Sequence, residues 1–279
     1  MLFSCTPSRL ATFDCPRRYR FTYLDKPRPP KGKPWAHNSL GAAVHLALAR
    51  WWSLPLAART PDEGERLVER EWLTEGFKDD AQSQRYRDVA ARWVRDYLVR
   101  IEPGVDPIGV ERTVAFMTDR LAVSGRVDRI DERNASTSSN RDVADEGGEL
   151  VIVDYKTGRR GVSEDEARGS QALALYVLGA RRALRRAGRR VELHHLPTGE
   201  VAAFEHTDDS LARHVARAEA TAQDIVVATD TLESGADPDE VFPAAPSAMC
   251  SWCDFRAHCP AGQAAARQIT PWAGLPDLG

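Results

Sequence analysis

The sequence predicts an α/β fold, a mixed central sheet flanked by helices, and three observations predict it. Leu150-Val151-Ile152-Val153 is an unbroken apolar run of strand length, suited to a central strand covered on both faces, and Gly158 ends it as a turn. Leu121 to Asp131 reads as a second strand, and the polar stretch that joins the two favours an antiparallel pair. Capped segments with helical spacing precede and follow these strands.

Taken in order, Thr6 and Pro7 are a helix cap and a first helical residue. The helix they start carries Leu10 and Phe13 inward and reaches Asp14-Cys15-Pro16. Arg17, Arg18, Tyr19, Arg20 and Phe21 follow, bases and aromatics interleaved, and residues 25–38 read as a Pro-, Lys- and Gly-rich loop. Ser39 caps a helix from Leu40 to Leu54, in which Gly41-Ala-Ala-Val-His45 permits close packing. Thr60-Pro61-Asp62-Glu63 starts a helix to about Phe77, and another spans Gln82 to Ile101 before Pro103 and Gly104.

A hairpin around Thr118-Asp119 joins Ile108–Phe116 to Arg120–Asp131, with Gly125 as a bulge or a point of close approach. Asn134 to Gly148, rich in Ser, Asn and Asp, reads as a loop. After Lys156, residues 164–187 form a helix with acids early and arginines late, as the helix dipole prefers. Val191–Leu196 and Val201–His206 form a hairpin around Pro197-Thr198-Gly199, and a long helix runs from Asp208 to Glu233. A Pro-rich linker leads to the C-terminal cysteines.

Composition sets bounds. The 279 residues, 42% hydrophobic and 28% charged, suit one large domain or two modest ones. A net charge of −3 excludes a globally basic nucleic-acid binder, so any such contact must use local patches. No apolar run approaches the roughly 18 residues of a membrane span. The opening Met-Leu-Phe-Ser-Cys-Thr-Pro does not read as a signal peptide, so the expectation is a cytoplasmic protein without membrane contact. In a reducing compartment five cysteines favour metal binding or catalysis over disulfides.

Two patterns carry chemistry. Asp154 and Lys156 are two apart on a strand and so share a face, beside a buried sheet. If Asp128 stands across from Asp154, two carboxylates meet, and a divalent cation relieves their repulsion. Read alone, the same pair is equally a salt-bridged strand end. The second pattern is Cys250, Cys253 and Cys259, a C-x₂-C-x₅-C segment. A soft metal or cluster takes four such ligands, which leaves Cys15 or Cys5 to complete the set. Cys15 and Cys259 both precede a proline, a step found beside iron–sulfur clusters.

Gly-Arg-Val-Asp128 followed by Val-Asp154-Tyr-Lys156 resembles the RecB-type branch of the PD-(D/E)XK nuclease superfamily, which includes the CRISPR-associated RecB-like exonucleases and the AddB nuclease domain. The resemblance runs from Thr6 to Pro260. It implies a restriction-endonuclease-like sheet forming a single nuclease domain over 1–279, with a helical insertion at 39–102. It also implies a cluster-binding segment at 244–262 that pairs with Cys15.

By the same resemblance Asp128, Asp154 and Lys156 are catalytic, and His45, from a Gly-x-x-x-His helix, joins Asp128 and Asp154 on Mg²⁺ or Mn²⁺. As a residue alone, His45 is as readily a hydrogen-bonded core histidine. Glu111, Gln171 and Tyr176 are accessory candidates, although Gln171 and Tyr176 stand five apart where relatives have four, which rotates them onto different faces. Arg17 and Arg18 are candidate DNA contacts. The arginines from Arg181 to Arg190 are either a solvated helix end or a second such contact. Cys15, Cys250, Cys253 and Cys259 would hold a [4Fe–4S] cluster, leaving Cys5 a free buried thiol. Zn²⁺, with His258 available as a ligand, is the alternative.

The implied partner is DNA, as single strands or ends, with a helicase or repair protein beside it, since the chain has no G-x-x-x-x-G-K-[ST] loop of its own. A non-cutting subunit with the same fold and a zinc-stapled interaction module are the competing readings.

Overall fold

The computed structural model describes residues 2–133 and 148–275. In chain order the elements begin with β1 (Phe3–Cys5), α1 (Pro7–Thr12), α2 (Pro16–Tyr23), α3 (Ala36–Trp52), α4 (Pro61–Arg70) and α5 (Asp80–Leu98). The strands β2 (Gly109–Met117), β3 (Leu121–Arg133) and β4 (Glu149–Lys156) follow, then α6 (Glu164–Gly169) and α7 (Gln171–Leu184). The chain continues through β5 (Gly188–His195), β6 (Glu200–Glu205), α8 (Asp208–Glu233), α9 (Pro238–Val241) and α10 (Pro260–Ala265), with short 3₁₀ turns at Ala248–Trp252 and Arg256–His258.

The six strands form one mixed sheet ordered β1-β3-β4-β5-β6, with β2 also paired to β3. β4 and β5 are parallel, joined by the crossover through α6 and α7, while β3 and β4 are antiparallel. Alternation along β4 builds both halves of the core. Val151, Val153 and Tyr155 pack with α3, α4 and α5, and Leu150 and Ile152 pack with α7. Each fully buried aliphatic side chain contributes about 1.5–3 kcal/mol, and a one-residue slip would exchange the two faces. The register of β4 is therefore fixed, and with it the positions of Asp154 and Lys156.

The α/β class and the central strands agree with the sequence reading, and the differences lie at helix ends. The region after Thr6 forms two helices, because Pro16 starts a new one at Cys15. The third helix begins at Ala36, and Ser39 instead donates its hydroxyl to the Glu75 carbonyl. The helix after Thr60 stops at Arg70. The predicted helix over 164–187 breaks at Ser170, whose hydroxyl caps α7. β1 has too few residues to show a pattern in sequence, and it pairs parallel with Leu121–Val123 of β3. The predicted loop from Asn134 lies outside the described residues up to Gly148. Among the described residues no helix is long and apolar enough to cross a membrane.

Candidate active site

The two edges of β3 explain how a polar site opens in a buried sheet. β2 runs along one edge, paired from Gly109↔Ile130 to Met117↔Ala122. β1 at Leu121–Val123 and β4 at Arg129–Arg133 must then share the other edge, leaving Ser124 to Asp128 unpaired there. The β3–β4 ladder ends at Arg129↔Val153, and one step further the register sets Asp128 opposite Asp154. Asp128 pins this fork: its Oδ2 accepts the Tyr155 backbone N–H at 2.9 Å, a donor the ladder no longer uses.

His45 reaches the fork from α3. Its Nδ1 lies 3.3 Å from Asp128 Oδ2, and its Nε2 lies 3.1 Å from the Tyr155 carbonyl. The helix comes this close because Ala43 and Ala47 are fully buried and Gly41 sits against Thr157, where a Cβ would stand 3.3 Å from the Thr157 hydroxyl. Burial disfavours a charged imidazole, but the hydrogen bond to Asp128 and the charges of Asp128, Asp154 and Glu111 outweigh it, so His45 titrates above its ordinary value.

Asp154 carries the opposite strain. Burial raises its carboxyl, Lys156 lowers it and Asp128 raises it again, with a net upward shift. Lys156 Nζ stands 2.5 Å from Asp154 Oδ2. That oxygen is buried, and the Lys156 ammonium is its charge partner.

Glu111 has a larger place in the site than its sequence suggested. Val110↔Arg129 and Arg112↔Val127 bracket it, so it faces Asp128 across the β2–β3 ladder. Its φ of 47° lies in the left-handed region, a costly conformation for a residue with a side chain. Burial raises its carboxyl, opposed by Arg126, whose Nε lies 2.7 Å away. His45, Glu111 and Asp128 each offer a ligand atom within 4.8 Å of the others, the one such group among the described residues. Asp154, expected in that set, lies outside it, drawn onto Lys156.

The accessory candidates divide. Tyr176 enters the site: its ring covers Gly125, where a Cβ would meet it at 2.3 Å, and after burial the charges of Asp128 and Asp154 raise its phenol. Gly125 is thus a point of close approach and keeps its place in the ladder opposite Val114. Gln171 instead donates to the His214 carbonyl of α8 at 3.4 Å. Arg17 is engaged by Asp239 at 3.1 Å, whereas Arg18 donates to the Ala11 carbonyl and lines a large cleft beside the site. In the later arginine cluster, Arg181 and Arg189 pair with Asp208, Arg190 with Glu192 and Arg186 with Glu132, which favours a structural role there.

Cys15, Cys250, Cys253 and Cys259 line one apolar pocket between α2 and the C-terminal turns. Backbone N–H groups point at their sulfurs: Ala245 to Cys15 at 3.5 Å, Ser247 to Cys250 at 3.4 Å and Gly262 to Cys259 at 3.3 Å. Burial raises the Cys253 thiol, opposed by a backbone hydrogen bond from Phe255. Cys5 lies apart at the end of β1, buried, with its thiol pushed up to about 11. His258, the other zinc-ligand candidate, is turned to the Pro30 carbonyl at 3.1 Å.

One part of the site was not found by reading the sequence. The backbone of Tyr155 holds both His45 and Asp128, and its buried hydroxyl accepts from Arg129 Nη1 at 3.1 Å. Its only signal was its place between Asp154 and Lys156.

Compared with known families, residues 4–260 match one described as the PD-(D/E)XK nuclease superfamily. No curated protein matches the sequence. Among solved structures, a crystal structure from Eubacterium rectale described as a candidate exonuclease is similar over 82% of this chain and 81% of its own, at 11% identity and a TM-score of 0.44.

Proposed function

The chain belongs to the PD-(D/E)XK nuclease superfamily, and from that membership we propose a metal-dependent deoxyribonuclease of its RecB-like, iron–sulfur branch, acting as an exonuclease on single strands or DNA ends. The observation that carries this reading is the fork between β3 and β4, which opposes Asp128 and Asp154 with His45 and Lys156 against them.

The donors fit a hard divalent cation. An imidazole nitrogen and carboxylate oxygens converge, and Asp154 Oδ2 is a buried oxygen beside them, paired with Lys156. His45, Glu111 and Asp128 would hold Mg²⁺ or Mn²⁺, with Asp154 completing the set. The ion, when bound, would polarise a phosphate oxygen and acidify an attacking water. Lys156 orients that water and stabilises the negative charge that develops on the phosphate. Tyr155 holds His45 and Asp128 in register through its backbone, and Tyr176 closes one side of the site.

In this reading Cys15, Cys250, Cys253 and Cys259 hold a [4Fe–4S] cluster that clasps the segment 244–262 to the N-terminal region. The N–H groups aimed at sulfur support it, since such donors tune cluster thiolates. The helices of 39–102 are an insertion that delivers His45, and any ATP-driven unwinding belongs to a helicase or repair partner.

The test is digestion of end-labelled single- and double-stranded DNA with Mg²⁺ or Mn²⁺. Asp154→Ala and Lys156→Ala should each slow cutting about a hundredfold or more with the thermal melt retained. Equal rates for parent and double variant would overturn the site.

A further inference from the structure

A cleft of about 1140 Å³ starts at the turn directly after Lys156 and ends against the cysteine segment. Its lining mixes two kinds of side chain. Trp35, His37 and Trp252 form an aromatic group, with ring centroids 5.1 Å apart for Trp35–Trp252 and 5.3 Å for His37–Trp252. All three are only half-buried, so each keeps surface toward the cleft. The Trp35 indole N–H donates to Asp254 Oδ1 at 3.1 Å, which fixes the ring. Arg18, Lys31, Arg159 and Arg160 supply positive charge against the single acid Asp254. Arg159 and Arg160 are exposed and make no hydrogen bond or ion pair among the described residues.

Half-buried rings and unpaired guanidinium groups lining one cleft match the alternation of base and phosphate in an unpaired strand. In a duplex the base faces are already stacked on one another and are not offered. We propose that this cleft binds a single nucleic-acid strand, its bases stacked on Trp35 and Trp252 and its phosphates on Arg159 and Arg160, leading the strand to Lys156. This deepens the nuclease reading and rests on it for the direction of the strand, but not for its binding.

The experiment is fluorescence anisotropy of the full chain without divalent cation, using labelled oligothymidylate and a blunt duplex of equal length. The parent should prefer the oligothymidylate. Trp35→Ala should weaken that binding roughly 5- to 150-fold, as expected when one stacked base is released, while duplex binding stays within about twofold and Trp35→Phe keeps most of the affinity. Arg159→Ala with Arg160→Ala, at exposed positions that do not threaten folding, should lower the slope of log affinity against log salt by about 0.7 for each phosphate no longer neutralised. The platform is overturned if Trp35→Ala, still folded, binds oligothymidylate as the parent does. Should Trp35→Ala not fold, an unchanged affinity and salt slope in the double arginine variant overturns it instead. A parent that binds the strand but cuts nothing with Mg²⁺ or Mn²⁺ supports the platform and removes only the nuclease reading.

Discussion

Nδ1 of His45 faces Oδ2 of Asp128 at 3.3 Å while Nε2 of the same ring faces the Tyr155 carbonyl at 3.1 Å. A carbonyl only accepts, so Nε2 carries a hydrogen. A neutral ring then turns the lone pair of Nδ1 toward a carboxylate oxygen, acceptor against acceptor. A proton on Nδ1, which the raised titration of His45 reflects, or a metal cation in the same place resolves the conflict, and Glu111 lies within reach of the same point. His45→Ala should therefore weaken Mn²⁺ binding about tenfold or more, read by calorimetric titration, with little change in the thermal melt. An unchanged affinity would remove His45 from the site.

Glu111 separates site chemistry from backbone cost. At a φ of 47° any residue with a Cβ is strained, by about 1–2 kcal/mol relative to glycine. Both Glu111→Ala and Glu111→Gly lose the carboxylate and the ion pair with Arg126. Both should lose metal affinity and cutting, yet the glycine variant should be about 1 kcal/mol more stable than the alanine one by urea denaturation. Full activity in either variant would show that the strain serves something other than a metal.

The legible parts of this protein are those with a short period or a short motif. The apolar run of β4, the turn at Gly199 and the proline-started helices are local facts, and they appear where the sequence put them. Asp128, Asp154 and Lys156 could be read because strand alternation and one antiparallel pairing set their geometry. The fork itself could not be read, because it depends on β1 and β4 sharing one edge of β3, and β1 lies far from both in sequence. The place of Glu111 opposite Asp128 is hidden in the same way, since it depends on the β2–β3 register. The ion pair of Arg17 with Asp239 is equally hidden, because its two partners lie far apart in sequence.

The cysteine pocket makes a spectroscopic prediction. If its four sulfurs hold an iron–sulfur cluster, anaerobically purified protein should be brown, with broad thiolate–iron absorption in the visible. Serine at Cys15, Cys250, Cys253 or Cys259 should each remove or alter that absorption. Cys5→Ser should leave it intact, because Cys5 is buried elsewhere, at the end of β1. A colourless protein that carries zinc would replace the cluster with the alternative metal.

The last prediction concerns acid, and its sign follows from two buried groups away from the metal ligands. Burial, then His214 and Arg181, depress His206 to about 4. A histidine depressed on folding contributes its full stability above its unfolded value of about 6.5 and loses it as pH falls toward about 4. Burial would raise Glu192, but hydrogen bonds to His194 and Arg190, with the charges of Arg133 and His194, reverse this and bring it to about 2. Its contribution is complete above about 4.5 and is lost as pH falls through about 2. The two windows adjoin, so stability should decline in two stages, each of order 3 kcal/mol. Between about pH 7 and pH 5 the first of these two stages operates, costing about 2 kcal/mol, and His206→Gln should reduce the slope by about that much in urea titrations at the two pH values. Glu192→Gln should keep the slope and instead lower stability at neutral pH, because Arg133 and Arg190 lose their common partner. If His206→Gln leaves the decline unchanged, the acid sensitivity lies in other groups.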